Sequence, residues 1–298
     1  MAVKMTNEIG RDGIKLAYEC FGDANLLPVL LIMGVGGQMV GWPEGFITEL
    51  LNKGLYVVRF DNRDVGLSTH LHNAPQPDLP AVLSGDLSSV AYTLTDMATD
   101  TIGLLDALKL DDAHIIGASM GGFIAQTLAI EFPERVRSLT SIMSTTGAFS
   151  VGQPSPDAMN LFNLPQPTNR DEAMDNAVSA AKVIGSPAYT IDEADVRKRA
   201  GLAYDRCYDP IGVARQAVAS VASGDRTSKL QSLKLASLVI HGDADKMCDI
   251  SGGEATARAI PGAEYVVIEG MGHDLPSELW PRLTKLIADH VLAAEKPR

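Results

Sequence analysis

Short apolar runs alternate with helix-patterned segments along most of this 298-residue chain, and no other feature limits its fold as strongly. The runs predict strands over 14–21, 28–34, 55–61, 112–117, 135–143, 235–242 and 263–270. Between them, helices are predicted over 43–54, 93–110, 123–133, 252–260 and within 276–294. Strands that alternate with helices form a mostly parallel sheet that is covered by helices on both faces. The sequence therefore predicts an α/β protein.

The alternation stops between residues 147 and 231. Four prolines interrupt its first part (Pro154, Pro156, Pro165 and Pro167), and helices are predicted around 171–185, 192–204 and 210–223. No apolar run of this segment has the pattern of a buried strand. We therefore expect a helical insertion at 147–231 within a core that is formed by residues 1–146 and 232–298.

The balance of charge argues against polyanionic partners. The formal net charge is -12, and no Lys/Arg cluster is present in the sequence. Binding of nucleic acid or of anionic membranes relies on such clusters. Hydrophobic residues make up 46% of the chain and charged residues 21%, values that are typical of a globular protein. We expect a small-molecule partner and no nucleic acid.

Neither a secretory signal nor a membrane span is predicted. The first residues, "MAVKMTNEIGRDG", lack a continuous apolar stretch, and no apolar run approaches the ~20 residues that span a bilayer. The three cysteines (Cys20, Cys207 and Cys248) are far apart and do not have the spacing of a disulfide framework or a zinc finger. We expect a cytoplasmic protein without membrane insertion.

A serine lies on a glycine-flanked turn between a predicted strand and a predicted helix. The stretch "HIIGASMGGF" contains G-x-S-x-G, with Ser119 at its centre and Gly117 and Gly121 two residues away on either side. A serine on such a strained turn projects its hydroxyl above the sheet, where it can act as a nucleophile. The spacing matches neither of the glycine-rich phosphate loops. Ser119 is therefore the predicted nucleophile.

A serine hydroxyl needs a base at neutral pH, and histidine is the expected one. The six histidines are His70, His72, His114, His241, His273 and His290. With a serine on this kind of turn, the order along the chain is serine, acid, histidine, and the histidine follows the last strand. His273, in "IEGMGHDLP", has that position. His70 and His72 form an H-x-H pair, but no further Cys or His lies near it in the sequence, so no metal site is predicted.

Together these features resemble the serine α/β-hydrolase family and, more narrowly, the anthracycline (aclacinomycin) methylesterases and related actinobacterial carboxylesterases. The similar stretches are "VLLIMGVGGQMVGWPEGF", "VVRFDNRDVGLST", "AHIIGASMGGFIAQTLA" and "GMGHDLP". The resemblance implies an α/β-hydrolase fold, with the insertion as a helical cap (lid) over the site. It also implies Ser119 as the nucleophile, His273 as the base, and an oxyanion hole formed by the backbone N–H groups of Met120 and Val35.

The acid that orients the histidine is expected in "HGDADKMCDIS" (241–251). The loop after the preceding core strand, "SIMSTTGAFS", has no Asp or Glu. Family members carry the acid as G-x-x-D, which here corresponds to Asp245. Asp243 is better suited to turning the loop, and Asp249 to the start of the next helix.

Two features depart from the family pattern. The acid is usually followed by proline, but Lys246, Met247 and Cys248 follow it here, and Lys246 could compete for the carboxylate. In "DNRDVGLST", Asp64 replaces a usual glycine. Asp61 and Arg63 of the same stretch are expected to hold a turn rather than to act in catalysis.

The sequence thus predicts a carboxylic ester hydrolase that uses a Ser-His-Asp triad and an acyl-enzyme intermediate, and needs no metal or organic cofactor. Its substrates are expected to be short-acyl or methyl esters of apolar small molecules. Candidate pocket residues, besides Val35 and Met120, are Met39, Met143, Leu161, Phe162, Tyr204 and Tyr208.

Three alternatives remain open at this stage. The same triad serves cofactor-free perhydrolases of the haloperoxidase type and hydrolases that cleave carbon–carbon bonds. A third alternative is a ligand receptor that keeps the hydrolase scaffold without turnover, because a fold does not determine a function.

Overall fold

A computed structural model describes residues 3–9 and 13–295 of the chain. Residues 1, 2, 10–12 and 296–298, which belong to the predicted core, lie outside the described residues. The strands are β1 (Lys4–Met5), β2 (Ala17–Phe21), β3 (Leu27–Ile32), β4 (Leu55–Phe60), β5 (Ala113–Ala118), β6 (Val136–Ile142), β7 (Ala236–Gly242) and β8 (Glu264–Ile268). The helices are α1 (Glu44–Asn52), α2 (Leu79–Leu83), α3 (Leu94–Leu108), α4 (Met120–Glu131), α5 (Pro156–Leu161), α6 (Arg170–Ile184), α7 (Glu193–Arg206), α8 (Pro210–Ala222), α9 (Thr227–Leu230), α10 (Ser251–Ala259) and α11 (Trp280–Ala294).

Within the described residues the strands form one sheet in the order β1-β2-β4-β3-β5-β6-β7-β8. The pairs β1–β2 and β2–β4 are antiparallel, and every later pair is parallel. The prediction of a mostly parallel α/β sheet is confirmed. The parallel strands place their carboxyl ends at one edge, where open α/β sheets bind ligands.

The sheet is buried on both faces because successive side chains point to opposite sides. In β3, Leu30 and Ile32 join an apolar cluster with α3 and α4, whereas Val29 and Leu31 join a second cluster with α1 and α11. All six residues of β5 are likewise buried. Two-sided burial explains why these strands are continuous apolar runs rather than alternating ones.

Helix boundaries follow capping chemistry. Asp96 accepts hydrogen bonds from the N–H (2.7 Å) and hydroxyl (2.9 Å) of Thr93, and this capping box starts α3. Lys109 ends the same helix in the left-handed conformation, at φ +58°. The helix predicted over 123–133 begins earlier, at Met120, because the turn that carries Ser119 occupies a single residue.

The segment 147–231 contains α5 to α9 and no strand. Three of these helices were predicted, whereas the short α5 and α9 were not, and neither were α2 and β1. Ala219 of α8 and Leu230 of α9 belong to the apolar cluster that covers one face of the sheet. The end of the insertion therefore packs on the core, and the division into core and cap stays a prediction. None of the helices in the described ranges is long and apolar enough to cross a membrane.

Candidate active site

Ser119 lies at the tip of the turn between β5 and α4, with φ +55° and ψ −124°. Its N–H donates to the carbonyl of Ile142 at 2.9 Å, which holds the turn against β6. A Cβ on Gly117 would lie 2.0 Å from the carbonyl oxygen of Gly121, and one on Gly121 would lie 2.0 Å from that of Ile32. Only glycine fits at both positions, as the motif requires.

The three residues predicted as a triad lie within hydrogen-bond distance of one another. Ser119 Oγ is 3.0 Å from His273 Nε2, and His273 Nδ1 is 2.8 Å from Asp245 Oδ2. The Nδ1–H of His273 can donate to the carboxylate while its Nε2 accepts the serine proton. Ser119, Asp245 and His273 follow β5, β7 and β8, respectively. The parallel sheet thus brings together residues that are far apart in sequence.

The second oxygen of Asp245 is held by the residues that depart from the family pattern. Asp245 Oδ1 accepts the N–H groups of Met247 and Cys248, each at 2.9 Å. Proline after the acid is therefore not needed to shape this loop, because backbone donors fix the carboxylate. The expected competition from Lys246 does not occur in the structure, where its Nζ lies 3.9 Å from Asp157 Oδ2.

The other two aspartates of this loop have local partners. Asp243 Oδ1 accepts the N–H of Gly270 at 2.6 Å and so ties the loop after β7 to the turn after β8. Asp249 Oδ1 accepts the N–H of Ser251 at 3.0 Å at the start of α10. Hydrogen bonds from Ser251 lower the pKa of Asp249.

The loop that carries His273 is held by residues that the sequence reasoning did not identify. The N–H of His273 donates to Ile184 at 2.7 Å, and the N–H of Gly272 donates to Ser186 Oγ at 2.8 Å. The Ser186 hydroxyl donates in turn to Asp274. Burial raises the pKa of Asp274. The end of α6 and the residues that follow it thus hold the His273 loop from the insertion side, and Ser186 and Asp274 are 88 residues apart in sequence.

His241 lies beneath the acid and not in the site. Its side chain is fully buried, its Nε2–H donates to the carbonyl of Cys248 at 2.7 Å, and its Nε2 is 3.6 Å from Asp245 Oδ2. Burial lowers the pKa of His241, so the ring is neutral. It supports the loop that also donates to Asp245.

The loop after β3 passes directly beside Ser119. A Cβ on Gly34 would lie 2.9 Å from Ser119 Cβ, so this glycine allows a close approach of the backbone. Among the described residues, the N–H groups of Val35 and Met120 have no hydrogen-bond acceptor. Both donors predicted for an oxyanion hole are therefore free of protein partners in this part of the chain.

The stretch 61–64 forms the turn that was expected of it. Asp61 accepts the N–H groups of Met39 (2.7 Å) and Leu67 (3.0 Å) and pairs with Arg206 of α7. Arg63 forms a two-point ion pair with Asp100 at 2.6 and 2.7 Å. These charges are buried and paired, which suits a structural role.

The predicted pocket residues lie in different environments. Met39 and Met143 are buried, and Met143 belongs to the core cluster that contains α1 and α11. Phe162 is 65% exposed, whereas Tyr204 and Tyr208 stack on each other with ring centroids 5.2 Å apart. None of these five residues has a hydrogen bond to Ser119 or His273 in the described chain.

A cavity of about 520 Å³ opens beside the acid loop. Its lining residues come from 150–155, Pro187 and 243–251. Asp245 lines it, but Ser119 and His273 do not. None of the residues predicted to line the substrate pocket lines this cavity.

Three possible metal ligands meet outside the site. Atoms of His70, His72 and Asp209 lie within 4.8 Å of one another. Two of them already have protein partners: His70 lies 2.7 Å from Asp209 Oδ2 and 3.0 Å from the carbonyl of Gly66. Arg215 Nη2 is 3.9 Å from the same Asp209 oxygen and opposes a further cation. The hydrogen bonds of His70 to Asp209 and to the carbonyl of Gly66 account for the cluster.

Comparisons with known proteins identify the family and similar enzymes. The profile of the alpha/beta hydrolase fold family matches residues 28–278. Rhodomycin D methylesterase DauP of Streptomyces sp. (strain C5) is 29% identical over 97% of this chain and 99% of its own. The same values hold for rhodomycin D methylesterase DnrP of Streptomyces peucetius. The predicted resemblance and the prediction of an esterase-type hydrolase are confirmed.

Solved structures agree at the level of the fold. A thermophilic esterase from Thermogutta terrifontis superposes with a TM-score of 0.73 at 24% identity, over 99% of this chain and 100% of that one. At this identity the likeness concerns the fold alone.

Proposed function

This chain belongs to the alpha/beta hydrolase fold family, and on that premise we propose that it is a carboxylic ester hydrolase with Ser119, His273 and Asp245 as its catalytic triad. The observation that carries the proposal is the continuous set of hydrogen bonds from Ser119 Oγ through His273 to Asp245, at 3.0 and 2.8 Å. Side chains in this order and at these distances can transfer a proton away from an attacking hydroxyl.

The reaction follows from that arrangement. Ser119 attacks the ester carbonyl as His273 Nε2 takes its proton, and the buried Asp245 stabilises the imidazolium that forms. The same proton then passes to the leaving alkoxide. Water, deprotonated by His273, attacks the acyl-enzyme, and the acid product is released as Ser119 recovers its proton.

Charge on the tetrahedral intermediate is stabilised by backbone donors. We assign this role to the N–H groups of Val35 and Met120, since both are free of acceptors in the described chain and the adjacent Gly34 lies against Ser119. Loss of one such donor typically costs about 10²–10³ in kcat.

Methyl or short-acyl esters of apolar small molecules are the proposed substrates. The relatives DauP and DnrP are named as methylesterases of rhodomycin D, and they match nearly the whole chain. The segment 147–231 is proposed as the cap over the site, because residues 184–186 support the His273 loop from that side.

Steady-state hydrolysis of a panel of methyl esters and p-nitrophenyl esters of graded acyl length tests this proposal. We expect repeated turnover that is fastest with the short acyl chains or the methyl esters. A single stoichiometric release without further turnover would contradict it and favour a receptor. Peroxide-dependent halogenation without ester turnover would favour a perhydrolase instead.

A further inference from the structure

Several backbone donors of the loop between β3 and α1 already have acceptors. The N–H of Gly36 donates to Gln216 Oε1 at 2.8 Å, that of Gly37 to the carbonyl of Gly34 at 3.0 Å, and that of Met39 to Asp61 Oδ1 at 2.7 Å. The N–H of Val35 is left without an acceptor among the described residues. The neighbouring hydrogen bonds therefore determine which donor of the stretch 35–37 stays available to a substrate.

Gln216 is the part of this arrangement that comes from the insertion. It lies on α8, 180 residues from Gly36 in sequence, and its side chain is fully buried. Its Nε2 donates to the carbonyl of Arg63 at 2.7 Å. Because the oxygen needs a donor and the nitrogen needs an acceptor, the two contacts fix the orientation of the amide.

The loop and α8 are also in close contact. Gly36 has φ +69°, and a Cβ there would lie 3.1 Å from Val213 Cγ1. Without the Gln216 oxygen, the N–H of Gly36 would be left without its acceptor, which carries an energetic cost. Rotation of the neighbouring peptide would relieve this cost and would turn the N–H of Val35 away from its present direction.

We propose that Gln216 is a positioning residue for the oxyanion hole: it binds the N–H of Gly36 and so leaves the N–H of Val35 directed at the reacting carbonyl oxygen. This inference rests on the proposed function, because an oxyanion hole has meaning only for acyl transfer. A helix of the insertion thereby completes the catalytic geometry, in addition to any role in covering the site.

The test compares Gln216→Met with Gln126→Met. Methionine has a similar length but makes neither hydrogen bond. Gln126 is a matched control because it is fully buried and bonds to Ser141 Oγ (3.4 Å) and Arg226 Nε (3.1 Å), away from Gly36. We expect Gln216→Met to lower kcat about 10- to 100-fold with little change in KM, since a misplaced donor weakens transition-state binding.

Phenylboronic acid adds a readout that a merely structural role would not change. Its tetrahedral adduct with the serine places an oxygen in the oxyanion hole, so its inhibition constant should rise with Gln216→Met in parallel with the loss of kcat. Gln126→Met should keep both values near wild type. Normal kcat and normal boronate affinity in folded Gln216→Met would overturn the inference, whereas a wild-type protein without ester turnover would contradict the proposed function.

Amide hydrogen exchange in the wild-type protein settles the matter if Gln216→Met does not fold. The N–H of Gly36 should exchange slowly because it is bonded to a buried side chain, and the N–H of Val35 should exchange quickly. Exchange at Gly36 that is as fast as at Val35 would overturn the inference.

Discussion

Ser119 has a backbone conformation that an L-amino acid rarely adopts, with φ +55°. Such a residue costs about 1–3 kcal/mol and persists only where its surroundings hold it. Here they do so through the bond from its N–H to Ile142 and the close contacts at Gly117 and Gly121. The strain keeps the hydroxyl directed at His273 before any substrate binds.

At the same scale, the assignment of Asp245 rather than Asp243 as the acid of the triad can be tested directly. Asp245→Asn should lower kcat by about 10⁴, because the amide no longer favours the tautomer of His273 that accepts the serine proton. Asp243→Asn is the matched control, since its side-chain oxygen can still accept the N–H of Gly270. We expect the control to stay within a few-fold of wild type in steady-state assays. A similar loss in both variants would contradict the assignment of Asp245.

The roles of the individual site residues differ in how well they could be predicted from the sequence. Ser119 and His273 lie in short motifs with a stated steric or positional reason, and Asp245 follows from the family spacing. Gln216 and Ser186 make their contacts across 180 and 86 residues. No local pattern encodes such contacts, because they depend on how the insertion packs on the core.

At the scale of elements, α8 is joined to the loop after β4 by a buried ion pair. Arg215 Nε and Nη2 lie 2.9 and 3.0 Å from the two oxygens of Asp64, and both side chains are at most 2% exposed. Asp64 has φ +68°, a conformation that glycine adopts freely and that fits the glycine implied here by the family resemblance. The unusual aspartate thus provides an acceptor for the helix that carries Gln216.

Removing one partner of the Asp64–Arg215 ion pair should lower the free energy of unfolding more than removing both. Arg215→Met leaves a buried carboxylate unpaired, and we expect a loss of about 3–5 kcal/mol in the free energy of unfolding. The double variant Asp64→Gly/Arg215→Met should recover part of that loss, because no unpaired charge remains and glycine adopts the positive φ freely. Urea denaturation measures both. A double variant that is less stable than Arg215→Met would contradict this account.

The secondary-structure elements that the sequence predicted correctly were the long ones. The parallel strands and helices such as α3 and α11 have the apolar pattern of elements buried on the sheet. The short helices α2, α5 and α9 are four to six residues long, and so carry too little periodicity to be recognised.

At the scale of the whole molecule, three buried histidines link stability to pH. Burial lowers the pKa of His114 to about 4 and also lowers the pKa values of His241 and His290. Each ring is neutral in the folded protein but takes up a proton on unfolding below its ordinary pKa of about 6.5. Stability is therefore unaffected by these groups above that pH and falls as the pH decreases below it.

His114 contributes a definite share of this loss. Between pH 6.5 and about 4, it should lower the free energy of unfolding by about 1.4 kcal/mol per pH unit, or about 3 kcal/mol in all. His114→Asn keeps a polar group near Ser138 Oγ, the 2.9 Å partner of Nδ1, and does not titrate. Urea denaturation across this range should give a shallower pH dependence for the variant. An unchanged slope would contradict the prediction.

The central claim is that Ser119 is the nucleophile of an ester hydrolase. The most direct measurement is peptide mass spectrometry after treatment with a fluorophosphonate, together with ester turnover of the same samples. Ser138→Ala is the control, since Ser138 is a buried serine on β6 beside His114, at the opposite end of the sheet. We predict that wild type and Ser138→Ala carry the phosphonyl group on Ser119 and turn over esters, and that Ser119→Ala does neither. Near-wild-type turnover by Ser119→Ala, or a label on another residue, would contradict the account.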